Sequence, residues 1–135
     1  KEILSYALSE SLEVDFVLET VNQLIDNHGV SLTDETLVHS DQGCHYTSYS
    51  FIQILKDKEL RQSMSRKGNC LDNSVMENFF GLLKSELLYL QEFKSVEHFK
   101  KELIEYLSWY NEKRIKVKLK GLTPLQFRNQ SLKSA

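Results

Sequence analysis

Apolar residues recur along the first part of the chain with the two periods that are typical of strands and helices. Leu4, Tyr6 and Leu8 alternate with polar residues, which predicts a half-buried strand over residues 2–9. From Val14 to Ile25 the spacing is three and four residues and stops at Asn27-His28-Gly29, where glycine can adopt a left-handed cap. This predicts a helix of about four turns. The run TLVHS then predicts a buried strand ending just before Asp41.

The rest of the chain is predicted to be mainly helical. Ser48 can cap a helix with Phe51, Ile52 and Leu55 facing inward, and LRQSMS after it has weak strand character. A long helix capped by Asp72 or Asn73 follows, then a second helix from about Ser95 and a short last helix opened by Thr123-Pro124. The two long helices carry apolar stripes, predicted as core, of Met76, Phe79, Phe80, Leu83, Leu87 and Leu90, and of Val96, Phe99, Leu103, Tyr106, Leu107 and Tyr110.

This alternation of strands and helices favours a mixed α/β layer architecture. A chain of 135 residues with 41% hydrophobic content can bury one core but hardly two, so we expect a single core. Three strands are few for a sheet, which indicates that strands are missing upstream. We therefore divide the chain into a core over residues 1–111 that lacks its N-terminal strands, and a basic tail with a short helix over residues 112–135.

The charge is polarised toward the C-terminus although the formal net charge is only -2. No stretch approaches the roughly 20 apolar residues of a membrane span, and residues 1–20 lack the basic start and apolar run that are typical of a signal peptide. Two cysteines make a poor disulfide framework, which favours a reducing cytoplasm. Against Glu112 alone, residues 112–135 carry Lys113, Arg114, Lys116, Lys118, Lys120, Arg128 and Lys133.

Candidate chemistry concentrates around two acids, Asp41 in HSDQGCHY and Glu77 in NCLDNSVMENFFGLLKSE, with 35 residues between them. A carboxylate at a strand end and another on a nearby helix can converge on magnesium, which prefers oxygen ligands. Two such ions can activate an attacking oxygen and stabilise a leaving one. Lys84 follows Glu77 by seven residues, on nearly the same helix face and about 10 Å farther along. It could contact a neighbouring phosphate.

At these residues the chain resembles the insertion sequence three family of bacterial transposases, whose core is similar to retroviral integrase. The resemblance covers essentially the whole chain and rests on HSDQG, the Asp41-to-Glu77 spacing, SMSRKGNCLDNSVMENFFGLLKSE and WYNEKRIKVKLKGLTPLQF. It implies a ribonuclease-H-like integrase core with a D-D-E site, in which Asp41 is the second acid, Glu77 the third and Lys84 the basic residue after it. The implied reaction is cleavage at transposon ends and attack of the freed 3′-hydroxyl on target DNA, with two magnesium or manganese ions.

In that family the first aspartate lies on a strand upstream of a segment like EILSYALSE, and no residue of this chain takes its place. Glu2, Glu13, Asp15 and Glu19 stand where the family has no catalytic acid. We therefore expect this chain to hold metal poorly and not to transpose DNA. A non-catalytic DNA-binding or assembly remnant is the alternative function, and a different nuclease on the same fold is a weaker one.

DNA contacts are predicted for two basic segments. Arg66, Lys67 and Asn69 lie in a loop beside the acids, and Arg114, Lys116 and Lys118 lie in the tail, where each phosphate contact would add salt-sensitive affinity. Together with Lys84 they would bind transposon ends and target DNA. Each of these residues could instead be an ordinary solvated surface residue, and Tyr106 and Tyr110 favour packing over a DNA-facing role.

Three further expectations concern metals, assembly and location. We interpret His39 as a hydrogen-bonded strand-end residue rather than a metal ligand, and Cys44, His45 and Cys70 match no standard zinc spacing. A homo-oligomer formed through an exposed sheet edge is a hypothesis. The cytoplasm of a bacterium, in association with the nucleoid, is the expected location.

Overall fold

The computed structural model describes residues 1–68 and 70–133, without the side chains of Cys70 and Leu71, and the chain divides into two compact units. We call Leu4–Ser74 the strand unit, and Lys1–Ile3 with the described residues from Val75 onward the helical unit. Each unit buries its own apolar cluster, so the expectation of one core is wrong. The reason is that each set of helices finds apolar partners within its own unit. The predicted boundary after residue 111 falls inside the helical unit and stays a prediction.

The strand unit consists of α1 (Asp15–His28), β1 (Leu37–Ser40), α2 (Tyr49–Asp57) and β2 (Arg61–Met64), with 3-10 turns at Gly29–Ser31 and Cys70–Asn73. The two strands are parallel and pair Leu37 with Arg61 and Ser40 with Met64. The predicted mixed α/β character is thereby confirmed. β1 is less buried than predicted, because Leu37 and His39 are exposed and Ser40 is its buried residue.

A side-chain cap explains how α2 begins. The Ser48 hydroxyl accepts the Phe51 N–H, which confirms the predicted start of α2. Phe51 and Leu55 are buried as predicted, but Ile52 is exposed. The left-handed cap predicted for Gly29 is also wrong, because its φ of -54° continues the helix into a 3-10 turn. The cluster of buried residues in this unit comprises Val17, Val21, Phe51, Leu55 and Leu60.

The strand predicted for residues 2–9 does not form. A strand needs a neighbouring strand to pair with, and among the residues that the structure describes β1 and β2 pair with each other. Polar groups near the start of the chain bond to other partners instead. In the strand unit the Ser5 hydroxyl donates to the Thr20 carbonyl, and the Leu4 carbonyl lies 3.2 Å from His28 Nε2.

The helical unit contains α3 (Ser74–Leu83) from its second residue on, and α3 continues as a π-helical turn over Lys84–Leu88. The helices α4 (Val96–Glu112) and α5 (Pro124–Lys133) follow. The Ser95 hydroxyl accepts the His98 N–H, which confirms the predicted start of α4. Thr123 and Gln126 form a reciprocal capping box at the start of α5, each side chain accepting the other's backbone N–H. None of the helices described here is long and apolar enough to cross a bilayer.

The core of the helical unit is formed mainly by α4. Its predicted stripe is confirmed for the inner residues, whereas Val96 is exposed at the start of the helix. The stripe predicted for α3 is wrong at Met76, Phe80 and Leu90, which are exposed. The π-helical turn over Lys84–Leu88 interrupts the 3.6-residue period ahead of Leu90, whereas Met76 and Phe80 lie before it in regular α-helix. The buried residues are Leu87, Leu103, Tyr106, Leu107 and Tyr110, and Phe79 and Leu83 pack against them.

Candidate active site

Asp41 follows β1 directly and is exposed in a tight turn. Its Oδ1 accepts the Gly43 N–H at 2.8 Å, and the Gly43 carbonyl accepts the N–H groups of Tyr46 and Thr47. A Cβ atom on Gly43 would lie only 2.9 Å from that Oδ1. The position after Gln42 therefore needs glycine if the carboxylate is to stay where the turn holds it.

Two buried serines connect the end of β1 to the segment that follows β2. The Ser40 carbonyl accepts the Ser65 N–H at 2.8 Å, and both serines are buried. The Ser65 hydroxyl accepts a hydrogen bond from the Asn73 amide at 3.0 Å, and the Ser65 carbonyl accepts one from Gln42 at 3.2 Å. The backbone on either side of Asp41 is thus bonded to the segment that leads into α3.

Two ionisable residues near Asp41 have partners of their own. Burial, and then the negative charge of Asp41, raise the pKa of Tyr46 above its ordinary value. His39 Nδ1 lies 3.0 Å from the Ser63 hydroxyl across the strand pair. This contact agrees with the interpretation of His39 as a hydrogen-bonded strand-end residue.

The predicted basic loop is closed by Asp72. The Asp72 carboxylate accepts the backbone N–H of Arg66 at 3.0 Å and contacts its guanidinium at 3.4 Å. These bonds, the backbone one first, hold the pKa of Asp72 below its ordinary value. Lys67 is exposed beside them, and the prediction for Asn69 lies outside the described residues. The positive charge of Arg66 is therefore already paired with a carboxylate, which a DNA phosphate would have to replace.

Glu77 and Lys84 are both exposed in the helical unit. Glu77 lies in the first turn of α3, and Lys84 opens the π-helical turn, where its carbonyl accepts the Tyr89 N–H at 2.9 Å. Asp41 belongs to the strand unit and Glu77 to the helical unit. A shared metal ion for Asp41 and Glu77 stays a prediction.

An ion pair that the sequence did not reveal lies two residues beyond Lys84. The Glu86 carboxylate accepts hydrogen bonds from Arg114 Nε at 2.6 and 2.9 Å and from the Tyr106 hydroxyl at 3.3 Å. Burial, followed by the charge of Glu86 and this hydrogen bond, raises the pKa of Tyr106 to about 12. Arg114, predicted to contact DNA, is thus bonded inside the protein. The sequence shows only an acid and a base 28 residues apart, Glu86 in the π-helical turn and Arg114 just after α4, with no sign that they pair.

The lysines of the predicted DNA-binding tail differ in their surroundings. Lys116 Nζ lies 4.8 Å from the centre of the Tyr110 ring, a cation–π distance. Lys118 is exposed in the 3-10 turn Val117–Leu119. The ammonium group of Lys118 therefore faces solvent, whereas that of Lys116 contacts the Tyr110 ring.

The donor chemistry of the two assigned acids suits a hard divalent cation. Exposed carboxylates are the oxygen ligands that magnesium and manganese take. Within residues 1–68 and 70–133, no three His, Cys, Asp or Glu side chains gather into a possible ion site. Cys44 Sγ lies 3.9 Å from His45 Nδ1, and the other ring nitrogen of His45 bonds the Leu12 carbonyl.

Comparison with known sequences identifies relatives along nearly the whole chain. Residues 77–132 match the model of the integrase core domain. A putative transposase InsK for insertion sequence element IS150 from Escherichia coli is 45% identical over 130 residues, which are 96% of this chain and 45% of that protein. An uncharacterized transposase-like protein from Haemophilus influenzae is 41% identical over 97% of this chain and 59% of its own length. The transposase InsF for insertion sequence IS3fB of Escherichia coli is 40% identical over 97 residues, 71% of this chain and 34% of its own.

Solved structures show the fold. The catalytic core domain of BIV integrase matches 93% of this chain and 77% of its own with a TM-score of 0.69 at 23% identity. A simian T-cell lymphotropic virus intasome in complex with PP2A regulatory subunit B56 gamma matches 80% of this chain and 37% of its own, with a TM-score of 0.58 at 15% identity. The chain spans about half the length of the first two curated relatives. The chain is similar to insertion-sequence transposases along nearly its whole length and has the fold of an integrase catalytic core.

Proposed function

We propose that this chain is the part of a DNA transposase core that supplies two acids and a phosphate-binding surface for DNA strand cleavage and strand transfer. The observation that carries the proposal is Asp41, an exposed carboxylate held by the Gly43 N–H at the carboxyl end of a parallel strand. The similarity to transposases over nearly the whole chain supports the same reaction class. Action in the bacterial cytoplasm, at the nucleoid, is part of this proposal.

In this proposal Asp41 and Glu77 bind divalent cations weakly, as expected for two of the three acids of a D-D-E site. Magnesium or manganese would be held by their carboxylate oxygens, since both side chains are exposed and neither ends in a soft ligand atom. When bound, such ions activate the attacking oxygen and stabilise the leaving one. The protein's own contribution is to orient Asp41 through the turn at Gly43 and through the bonds that Ser65 makes to Ser40.

Phosphate contacts are proposed for three exposed lysines, Lys67, Lys84 and Lys118, and for the partly exposed Lys116, two residues before Lys118. Arg66 would join them only when a phosphate replaces Asp72. Arg114 is omitted from the proposal because its guanidinium is bonded to Glu86. The partners would be transposon-end and target DNA, and a homo-oligomer on paired ends is part of the same hypothesis.

Titration of the isotope-labelled chain with Mn²⁺ tests whether the two acids share an ion. A bound paramagnetic ion broadens the amide signals of nearby residues. We expect broadening around Asp41 and around Glu77 at the same Mn²⁺ concentration, and we expect the single change Asp41→Asn to remove it at both. Asp34→Asn, which also removes one exposed acid from the strand unit, is the matched control and should leave both effects intact.

Each outcome of this titration has a definite meaning. Broadening around Glu77 that persists unchanged in Asp41→Asn would contradict a shared ion. DNA binding with no Mn²⁺ effect at either acid would instead favour a non-catalytic DNA-binding or assembly module.

A further inference from the structure

The backbone geometry changes at Lys84. α3 ends at Leu83 and a π-helical turn follows, with the Tyr89 N–H bonded to the Lys84 carbonyl five residues back. Such π turns are rare and occur frequently at functional sites. Lys84 is exposed, so the π-helical turn begins at a cationic side chain that faces solvent.

Glu86 holds this turn from its inner side. Arg114 Nε bonds both carboxylate oxygens of Glu86, at 2.6 and 2.9 Å, and the Tyr106 hydroxyl adds a third contact. The side chains of Arg114 and Glu86 are only 21% and 25% exposed. Charge-assisted hydrogen bonds that are shielded from water are stronger than exposed ones, so this contact can hold the turn in one orientation.

The orientation of Glu86 determines where Lys84 points. Residues two apart on a helix do not face each other, so a Glu86 side chain bonded toward α4 directs Lys84 away from α4 and toward solvent. Leu87, the next residue, is buried in the core of the helical unit and restricts rotation in the same sense. Glu86 and Leu87, on the inner side of the turn, therefore determine the direction in which the Lys84 side chain points.

We infer that Glu86, held by Arg114 and Tyr106, is a positioning residue that directs the Lys84 ammonium group toward a DNA phosphate. The inference rests on the proposed function of Lys84 and adds to it three residues that do not touch DNA themselves. Arg114, whose place in the basic tail suggested a DNA contact, affects DNA binding by holding Glu86.

The salt dependence of DNA binding tests the inference. Affinity for a fluorescein-labelled DNA duplex would be measured by anisotropy over a salt series for the whole chain and for Lys84→Gln, Glu86→Gln and the double variant. Each phosphate contact contributes about 0.9 to the slope of log affinity against log salt. Lys84→Gln should therefore lower the slope by about 0.9. Glu86→Gln should produce nearly the same loss although Lys84 is present, and the double variant should lose no more than either single one.

The matched control is Glu97→Gln, which removes the same charge from an exposed position on α4. It should keep the full slope. Arg114→Lys keeps a cation opposite Glu86 but cannot reproduce the planar guanidinium contact, so its slope should fall between those of the wild type and Glu86→Gln. Thermal unfolding of each variant identifies the temperature at which all of them are folded, and binding is compared there.

The outcomes separate this inference from the proposed function. If Lys84→Gln leaves the slope unchanged, the proposed phosphate contact of Lys84 fails, and the inference fails with it. If Lys84→Gln lowers the slope but Glu86→Gln and Arg114→Lys both keep the wild-type slope, the proposed contact stands and Glu86 is a purely structural residue.

Discussion

The side-chain amide of Asn111 brackets the backbone of Ile3, 108 residues earlier in the chain. Its Oδ1 accepts the Ile3 N–H at 2.8 Å and its Nδ2 donates to the Ile3 carbonyl at 2.7 Å. The neighbouring Tyr110 hydroxyl donates to the Lys1 carbonyl at 3.3 Å, and Arg128 lies 3.3 Å from the Glu2 carboxylate. The start of the chain is therefore held in the helical unit by side chains of α4 and α5.

Asn111→Ala should destabilise the helical unit. Both bonds to Ile3 are lost, and leaving a half-buried N–H and C=O without partners costs about 1–3 kcal/mol. Urea unfolding followed by circular dichroism measures this cost. Asn22→Ala, at an exposed position of α1, should change the free energy of unfolding by no more than about 0.5 kcal/mol. Equal stability of Asn111→Ala and the wild type would show that the two hydrogen bonds to Ile3 contribute nothing to the free energy of unfolding.

Gly43→Ala should separate the geometry of Asp41 from the stability of the fold. The new Cβ would meet Asp41 Oδ1 at 2.9 Å, and because that atom ends a rotatable side chain, it can move at little cost in stability. The carboxylate would then leave the Gly43 N–H, and Mn²⁺ broadening around Asp41 should weaken. The control is Gly81→Ala on α3, where a Cβ meets nothing within 4 Å. That change should stabilise the helix by about 1 kcal/mol and leave Mn²⁺ binding at Asp41 unchanged.

Glu59→Gly should stabilise the strand unit by about 1 kcal/mol. Glu59 has a φ of 57° after α2, with its N–H bonded to the Lys56 carbonyl and the Leu60 N–H bonded to the Leu55 carbonyl. This is a Schellman motif, in which glycine takes the left-handed position without a Cβ clash. Glu59→Ala retains the Cβ and should bring little gain. Thermal unfolding that ranks the alanine variant with the glycine variant would rule out backbone strain as the cause.

Tyr106→Phe should change how stability depends on alkaline pH. The pKa of Tyr106 is raised from 10.0 to about 12, so the folded state keeps the phenol proton longer than the unfolded state does. Its contribution is fully present below pH 10 and is lost as the pH rises through about 12. The difference in unfolding free energy between wild type and Tyr106→Phe should thus be constant below pH 10 and shrink above it. A difference that stays constant across this range would contradict the raised pKa.

Much of the helical structure could be predicted from sequence because its signals are local. Ser48, Ser95 and Thr123 each cap a helix through a bond to a residue three positions on. The strands at Leu37–Ser40 and Arg61–Met64 were also predicted from short apolar or weak strand patterns. The prediction of a strand over residues 2–9 was wrong, because a strand needs a second strand to pair with, and the period of apolar residues does not show whether one is available.

The candidate site was predictable to a different degree. Asp41 at a strand end, and Glu77 with Lys84 on a helix, were proposed from motifs and spacing. In the structure Asp41 directly follows β1 and Glu77 lies on α3, whereas Lys84 lies in the π-helical turn beyond α3. The π-helical turn at Lys84 was not foreseen, because no residue pattern in KSELL distinguishes it from an α-helical turn. The partners of Arg66 and Arg114 were not foreseen either, since a charged residue in a sequence does not reveal which opposite charge it meets.

The sequence by itself determined the helix starts, the two strand segments and the identity of the candidate acids, because capping, periodicity and short motifs act over a few neighbouring residues. Tertiary structure alone decided that Glu86 meets Arg114, that Asn111 brackets Ile3 and that residues 2–9 do not form a strand. The two pairings depend on which partly buried polar groups find partners across 28 to 108 residues of chain. Such pairings follow from packing in three dimensions, where an unbonded polar group is costly, and not from the order of residues along the chain.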